Sequence, residues 1–298
     1  MPIQASYIFV IFIWSTTPLG IVWSSETMPA TLSVFLRMSI ALVLAGLVIA
    51  MSKIRVPWHR QACTLYSYSA LGIFGGMLLS YLAAKTVPSG VISLIFGIAP
   101  ILSGLLAQRL LNEPRFTLVK LIALGLSLIG LYLICAVQIQ TFQVPPLGLL
   151  YVFLAVSCFS LSGVMTKRVQ LAVHPMATTF GALVFVTPLF GIVWWVMNGE
   201  LTPALWSERS ILATVYLGVF GSLLGFLAYF HILQKLPAST VALTTLITPA
   251  FAVALGSWLN GEALTVTLLA GAAIILLSLA LFTFGEQWVG SKKNIPAT

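Results

Sequence analysis

The sequence predicts an all-α membrane protein: ten transmembrane helices arranged as two inverted five-helix repeats. Three observations lead to that class. Hydrophobic residues make up 60% of the 298 residues and charged residues 7%, against roughly 25% charged in an ordinary soluble chain. Apolar runs of helical length recur from one end to the other, separated by short polar turns. A proline-interrupted stretch occurs twice, as VPSGVISLIFGIAPILSGLLAQRLLNEPRF and as LPASTVALTTLITPAFAVALGSWLNGEALT. Pro88, Pro100 and Glu113 align with Pro237, Pro249 and Glu262 at one constant offset of 149 residues.

The spans are expected over residues 3–23, 31–51, 63–84, 88–110, 116–136, 146–166, 175–197, 209–233, 238–259 and 264–285. Each has the roughly 20 residues that a helix rising 1.5 Å per residue needs to cross the hydrocarbon core. A closed β-barrel would instead show short alternating strands. No cleavable signal peptide is expected, because the first run lacks a basic leader and is too long for one. The C-terminal SKKNIPAT reads as a polar tail.

Charge orients the spans. With the N-terminus inside, the inner segments hold eleven basic residues: Lys53, Arg55, Arg60, Arg109, Arg115, Lys120, Lys167, Arg168, Lys235, Lys292 and Lys293. The outer segments hold two, Lys85 and Arg209. The positive-inside rule then assigns both termini to the cytoplasm. The net charge of +8 therefore reads as membrane orientation and not as a nucleic-acid footprint. Gly72 and Gly76 in the third span recur as Gly221 and Gly225 in the eighth, at the same offset. The repeat thus extends over the chain, as 3–136 and 146–285. Five spans per half is an odd number, so the second half enters the membrane from the opposite side.

The polar residues inside the spans narrow the chemistry. Pro100 and Pro249 each lie about 18 Å along their helices, near the midplane. A proline there frees the carbonyls of Phe96 and Thr245, because it has no N–H and its ring clashes with the preceding turn. The prolines either open backbone acceptors to a central cavity or are fixed bends satisfied by neighbours. Thr240, Thr244 and Thr248 share one face of the ninth span, beside Thr245; they either bind a polar group or bond back to their own helix. Gly72, Gly76 and Ser80, and Gly221, Gly225 and Tyr229, form small-residue faces suited to close helix packing. Tyr81, Tyr229 and Phe230 are either interfacial aromatics or cavity walls. Trp14 is too deep for the outer aromatic belt, and Ser15, Thr16, Thr17 and Pro18 after it should face protein or cavity. Arg37 lies about 9 Å below the outer end of its helix, where it either snorkels to the interface or binds a solute. Glu113 and Glu262 begin the fifth and tenth helices, as N-terminal caps or as proton-coupling groups. No Asp occurs anywhere, and neither Asp nor Glu is expected at the midplane.

These motifs resemble the EamA family of the drug/metabolite transporter superfamily. The resemblance runs over about residues 5–285. It rests on the duplicated Pro…mid-span Pro…Glu spacing, on Trp14-Ser15, and on Pro29 followed by Arg37. The chain departs from the family at Ser15, where Gly is usual, and at Asn112-Glu113-Pro114, where Gly-Glu is usual. The resemblance implies a ten-helix secondary carrier, often an exporter of amino acids or other small metabolites, with a cavity lined by the first, third, fourth, sixth, eighth and ninth spans. The candidate substrate-binding residues are Trp14, Ser15, Thr17, Ser80, Tyr81, Phe96, Pro100, Ser160, Tyr229, Thr244, Thr245, Thr248 and Pro249. The partners are a small organic solute and the lipid bilayer, with no nucleic acid, cofactor or metal, and the location a bacterial inner membrane. A passive facilitator shares these features. An enzyme would need a motif such as HExxH, GxSxG or an acid pair, and none is present. ATP-driven transport would need a GxxxxGK[ST] loop, also absent. A receptor or scaffold would leave the duplicated prolines unexplained.

Overall fold

The structure is a computed structural model. It describes residues 2–112, 115–140, 143–197, 199–236, 241 and 244–290, with the side chains of 137, 138, 245–247, 250, 283 and 286–290 left aside. Glu113, Pro237, Thr240, parts of the 137–144 and 198–208 loops, Lys292, Lys293 and the rest of the polar tail lie outside the described residues, as does the Thr245 side chain.

Helices follow the apolar runs in order. They are α1 (Ile3–Ser24), α2 (Ala30–Ser52), α3 (Arg60–Ala83), α4 (Ser89–Phe96), α5 (Ala99–Leu110), α6 (Leu118–Gln140), α7 (Pro146–Arg168), α8 (Pro175–Met197), α9 (Glu208–Tyr216), α10 (Gly225–Lys235), α11 (Thr244–Asn260) and α12 (Val266–Gly290). A single 3₁₀ turn at Pro203–Leu205 precedes α9, and a π-helical turn at Leu217–Leu224 joins α9 to α10. Among the described residues eight segments are long and apolar enough to cross a membrane, with Ser89–Leu110 and Glu208–Lys235 each counted as one; Phe251–Asn260 and Val266–Phe282 are shorter apolar helices. No strand occurs among the described residues.

The two mid-span prolines act differently. In the first copy the helix stops at Phe96, turns at Gly97–Ile98 and restarts with Pro100 in the first turn of α5, where a missing N–H costs nothing. In the second copy Pro249 sits inside a continuous α11. Gly97 is the local difference, since Leu246 occupies the matching position and a glycine–proline pair breaks helices more readily. The departure at Asn112 is also explained. Asn112 (φ 55°) and Gly261 (φ 64°), 149 residues apart, both adopt the left-handed conformation. Asn is among the few residues besides Gly that do so readily.

Packing joins the halves along their whole length. α3 packs on α7, α1 on α10 and α11, α5 on α7, α2 on α8, α4 on α11, and α6 on α12. The last three pairs run antiparallel. Gly191 approaches Phe35 whereas Phe180 approaches Gly46; Gly90 faces Val253 whereas Gly97 faces Pro249; Gly285 meets Val119 whereas Gly130 meets Gly271. Glycine permits these approaches. A Cβ at Gly72 would lie 2.5 Å from Ser162 Oγ, and one at Gly130 would lie 2.9 Å from the Gly271 carbonyl. Large apolar side chains remain exposed around the outside, among them Leu118, Leu121, Leu128 and Tyr132 on α6 and Trp195 and Val196 on α8. In water such an apolar rim would be a liability, whereas in lipid it is the solvent-matched face.

Candidate functional site

The helices enclose a central cavity of about 90 Å³ walled from both halves. Helix α1 supplies Trp14, Thr17 and Pro18, and α2 supplies Arg37. Ser69, Gly72, Gly76 and Ser80 come from α3, Ser93 and Phe96 from α4, and Phe159 and Ser162 from α7. Phe226, Tyr229 and Phe230 of α10 and Thr248 of α11 complete the wall. The small residues of α3 therefore serve twice: Gly72 lets α7 approach, and the same face leaves space open.

Of the residues expected from sequence, Trp14, Thr17, Ser80, Phe96, Tyr229 and Thr248 line this cavity. Ser15, Tyr81, Pro100, Ser160, Thr244 and Pro249 are not among its lining residues. Ser15 is buried and donates to the Ile11 carbonyl at 2.7 Å. Thr244 donates to the Val241 carbonyl at 2.8 Å, the back-bonding alternative for that threonine. Tyr81 is buried and accepts from Ser24 at 3.4 Å, while Ser160 donates to the Ala99 carbonyl at 3.4 Å. Pro100 and Pro249 are buried beside the cavity without being among its lining residues. Thr17 lines the cavity but spends its hydroxyl on the Ile13 carbonyl at 2.8 Å.

Three aromatic rings close one side. Trp14, Phe159 and Tyr229 lie pairwise 5.4 Å apart between centroids, within the range for attractive ring contacts. The same three rings border a second, smaller hollow of about 10 Å³ lined further by Ser103, Gly163, Leu233 and Val241. They are therefore the partition between the central cavity and the end of the bundle where α10 finishes.

The opposite end is fastened by hydrogen bonds that cross between the halves. The Glu262 carboxylate accepts from Ser89 N at 2.9 Å, Ser89 Oγ at 2.5 Å and Gly90 N at 3.0 Å. A glutamate does cap a helix here, as charge at a helix N-terminus should, but the helix is α4 of the first half. Its own helix, α12, is capped by Thr265, whose hydroxyl accepts from Leu268 N at 3.1 Å. Gly256 makes room for the carboxylate, since a Cβ there would lie 2.5 Å from its oxygen. Trp23 donates to Asn260 at 3.0 Å, Ser210 donates to the Trp23 carbonyl at 2.8 Å, and Arg209 pairs with Glu26 at 3.4 Å.

Arg37 overturns the snorkelling alternative. Its side chain is fully buried. Nε donates to Ser222 Oγ at 2.7 Å across to the π-helical turn, and Gly221 leaves space for the guanidinium. Nη1 and Nη2 have no hydrogen-bond partner among the described residues. Sequence reasoning placed Arg37 in a span but did not include it among the site residues. Nor did it include Phe159, one residue before the expected Ser160. For Arg37 the signal was present, as a cation about 9 Å inside the end of its span. For Phe159 an apolar ring in an apolar helix carries no mark of its own.

The sequence matches a family model described as "EamA-like transporter family" over residues 4–136 and again over 146–284. An "Uncharacterized transporter" of Archaeoglobus fulgidus is 25% identical over 82% of this chain and 85% of its own length. The "Uncharacterized transporter YdfC" of Bacillus subtilis is 28% identical over 91% and 88%. The "Uncharacterized inner membrane transporter YedA" of Escherichia coli K12 is 23% identical over 98% and 94%. A crystal structure superposes with a TM-score of 0.71 at 18% identity, covering 96% of this chain and 98% of its own, and that similarity speaks to the fold alone.

Proposed function

Taking as premise that the chain belongs to the EamA-like transporter family and is a multi-pass membrane transporter, we propose that it is a secondary carrier of small organic metabolites, working as an exporter by alternating access. The observation that carries this reading is the central cavity, walled by α1–α4 from one half and by α7, α10 and α11 from the other. A site shared between two halves opens to one side and then the other when the halves rock.

The antiparallel packing of α2 on α8, α4 on α11 and α6 on α12 supports two inverted repeats, 3–136 and 146–285, with ten spans in all. The basic-residue bias supports cytoplasmic termini. On that orientation the Glu262 network lies outside and the aromatic partition faces the cytoplasm. The cavity, of about 90 Å³, is small beside the several hundred Å³ of an ordinary ligand pocket. Among the described residues no acidic group lies in its wall, so none of them offers a buried carboxylate to relay protons.

The test is counterflow. Purified protein in liposomes preloaded with an unlabelled solute is given the labelled solute outside, across a panel of amino acids, organic acids and cationic drugs, with and without a pH gradient. Transient accumulation of label above equilibrium is expected for at least one class. Only downhill equilibration would mean a facilitator, and no flux of any solute would remove small organic metabolites as the substrate class.

A further inference from the structure

Resting on the carrier reading above, we infer that the cavity takes organic anions, and that Arg37 holds the carboxylate of a solute whose apolar body lies among the aromatic rings. Arg37 is sealed from water. A buried charge is retained only where something compensates it. No carboxylate does so among the described residues, since the one ion pair present there is Arg209 with Glu26 at the far surface and Glu262 is committed to α4. Ser222 takes Nε alone. This leaves Nη1 and Nη2 as a planar edge of donors, enclosed and without a partner among the described residues, on a side chain that lines the cavity.

That edge matches the two oxygens of a carboxylate, the pairing in which a guanidinium is most selective. The neighbouring wall is apolar, from Ile73, Met77, Phe226 and Phe230. Among the described residues no acidic side chain lines the cavity to receive an ammonium group. A solute with an anionic head and an apolar body is therefore favoured over its neutral or cationic counterpart. The π-helical turn at Leu217–Leu224 sets this up. It presents Ser222 to Nε, and its glycine at 221 gives the guanidinium room, in keeping with the frequent use of π-turns at functional sites.

Binding is measured separately from transport. Full-length protein in detergent is heated with phenylacetate, hexanoate or indole-3-acetate, each beside its amide and its corresponding amine, and the melting temperature is followed with concentration. The wild type should bind at least one acid about tenfold or more tighter than its amide. Arg37→Gln should abolish that preference and Arg37→Lys should keep part of it, since a lysine offers the charge without the fork. A structural arginine would lower the starting melting temperature and leave the acid-to-amide ratio unchanged, which would overturn the assignment. Equal or absent stabilisation by every acid with the wild type would overturn it as well. If Arg37→Gln does not fold, Ser222→Ala replaces it: the guanidinium stays but loses its tether, and the ratio should fall several-fold, with an unchanged ratio counting against the proposal. Absence of counterflow alongside intact acid preference would sink the carrier reading and leave this one standing.

Discussion

Two regions where the helices meet are held together by different chemistry. In one, a carboxylate receives three hydrogen bonds at a helix N-terminus, and the groups come from opposite halves of the chain. In the other, three aromatic rings meet with no polar bond between them. A hydrogen-bonded closure is directional, so separating the halves exposes unmet donors and costs the full interaction. A ring closure is not directional, and side-chain rotation opens it without moving a helix. The comparison predicts a stiff contact that yields only with helix motion and a soft one that opens without it.

The largest effect is expected at the stiff contact. Glu262→Ala leaves Ser89 N, Ser89 Oγ and Gly90 N unanswered at the buried start of α4, and should cost about 3 kcal/mol at the usual worth of hydrogen bonds to a charged group. Glu262→Gln keeps one acceptor oxygen and should cost about half as much. Thermal unfolding in detergent or lipid reads both. The comparison fails if Glu262→Ala melts like the wild type, because the closure would then hold nothing.

At the soft contact a smaller loss of stability should accompany a larger change in leak. Phe159→Leu keeps apolar bulk but removes the ring contacts to Trp14 and Tyr229, each worth about 0.5–1.5 kcal/mol. Stability should fall by about 1–2 kcal/mol on that scale, while passive efflux of a preloaded solute from liposomes should rise. Unchanged leak would mean that the rings pack against each other without controlling passage.

Much of this arrangement was legible in the sequence. Composition and span length identified the membrane class, because both depend on patterns that run along the chain; the constant offset matched α4 with α11, which pack antiparallel, but also matched Gly72 and Gly76 of α3 with Gly221 and Gly225, whose segment is not among the main partners of α3. Trp14, Phe96, Tyr229 and Thr248 were found since each breaks a pattern, by depth, by proline or by polarity. What escaped was decided across space. Glu262 caps a helix 173 positions away in sequence, and only the packing of α4 on α11 brings the two together. The unequal fates of Pro100 and Pro249 turn on Gly97, a neighbour that the aligned landmarks passed over. Arg37 looked like a residue at the edge of a span until the glycines of the π-helical turn provided a buried place for it.

The smallest expected effect lies in the turns beside the two contacts. Asn112 and Gly261 occupy equivalent left-handed positions, one before the glutamate of each half. A Cβ at Gly261 would meet nothing within 4 Å, so any cost of a side chain there is conformational and not steric. Gly261→Ala should therefore lose about 1 kcal/mol, the usual penalty for an alanine at positive φ. Gly261→Asn should recover most of that, because its short amide tolerates the region. Asn112→Gly should change stability by only a few tenths of a kcal/mol. The three variants, compared by melting temperature in one detergent, ask whether the outer turn is held in its conformation by the hydrogen bonds of Glu262 or by glycine alone. If Gly261→Ala melts with the wild type, the backbone has relaxed out of the left-handed region. The closure at that end would then be softer than its three hydrogen bonds imply, and the contrast between the two contacts would narrow.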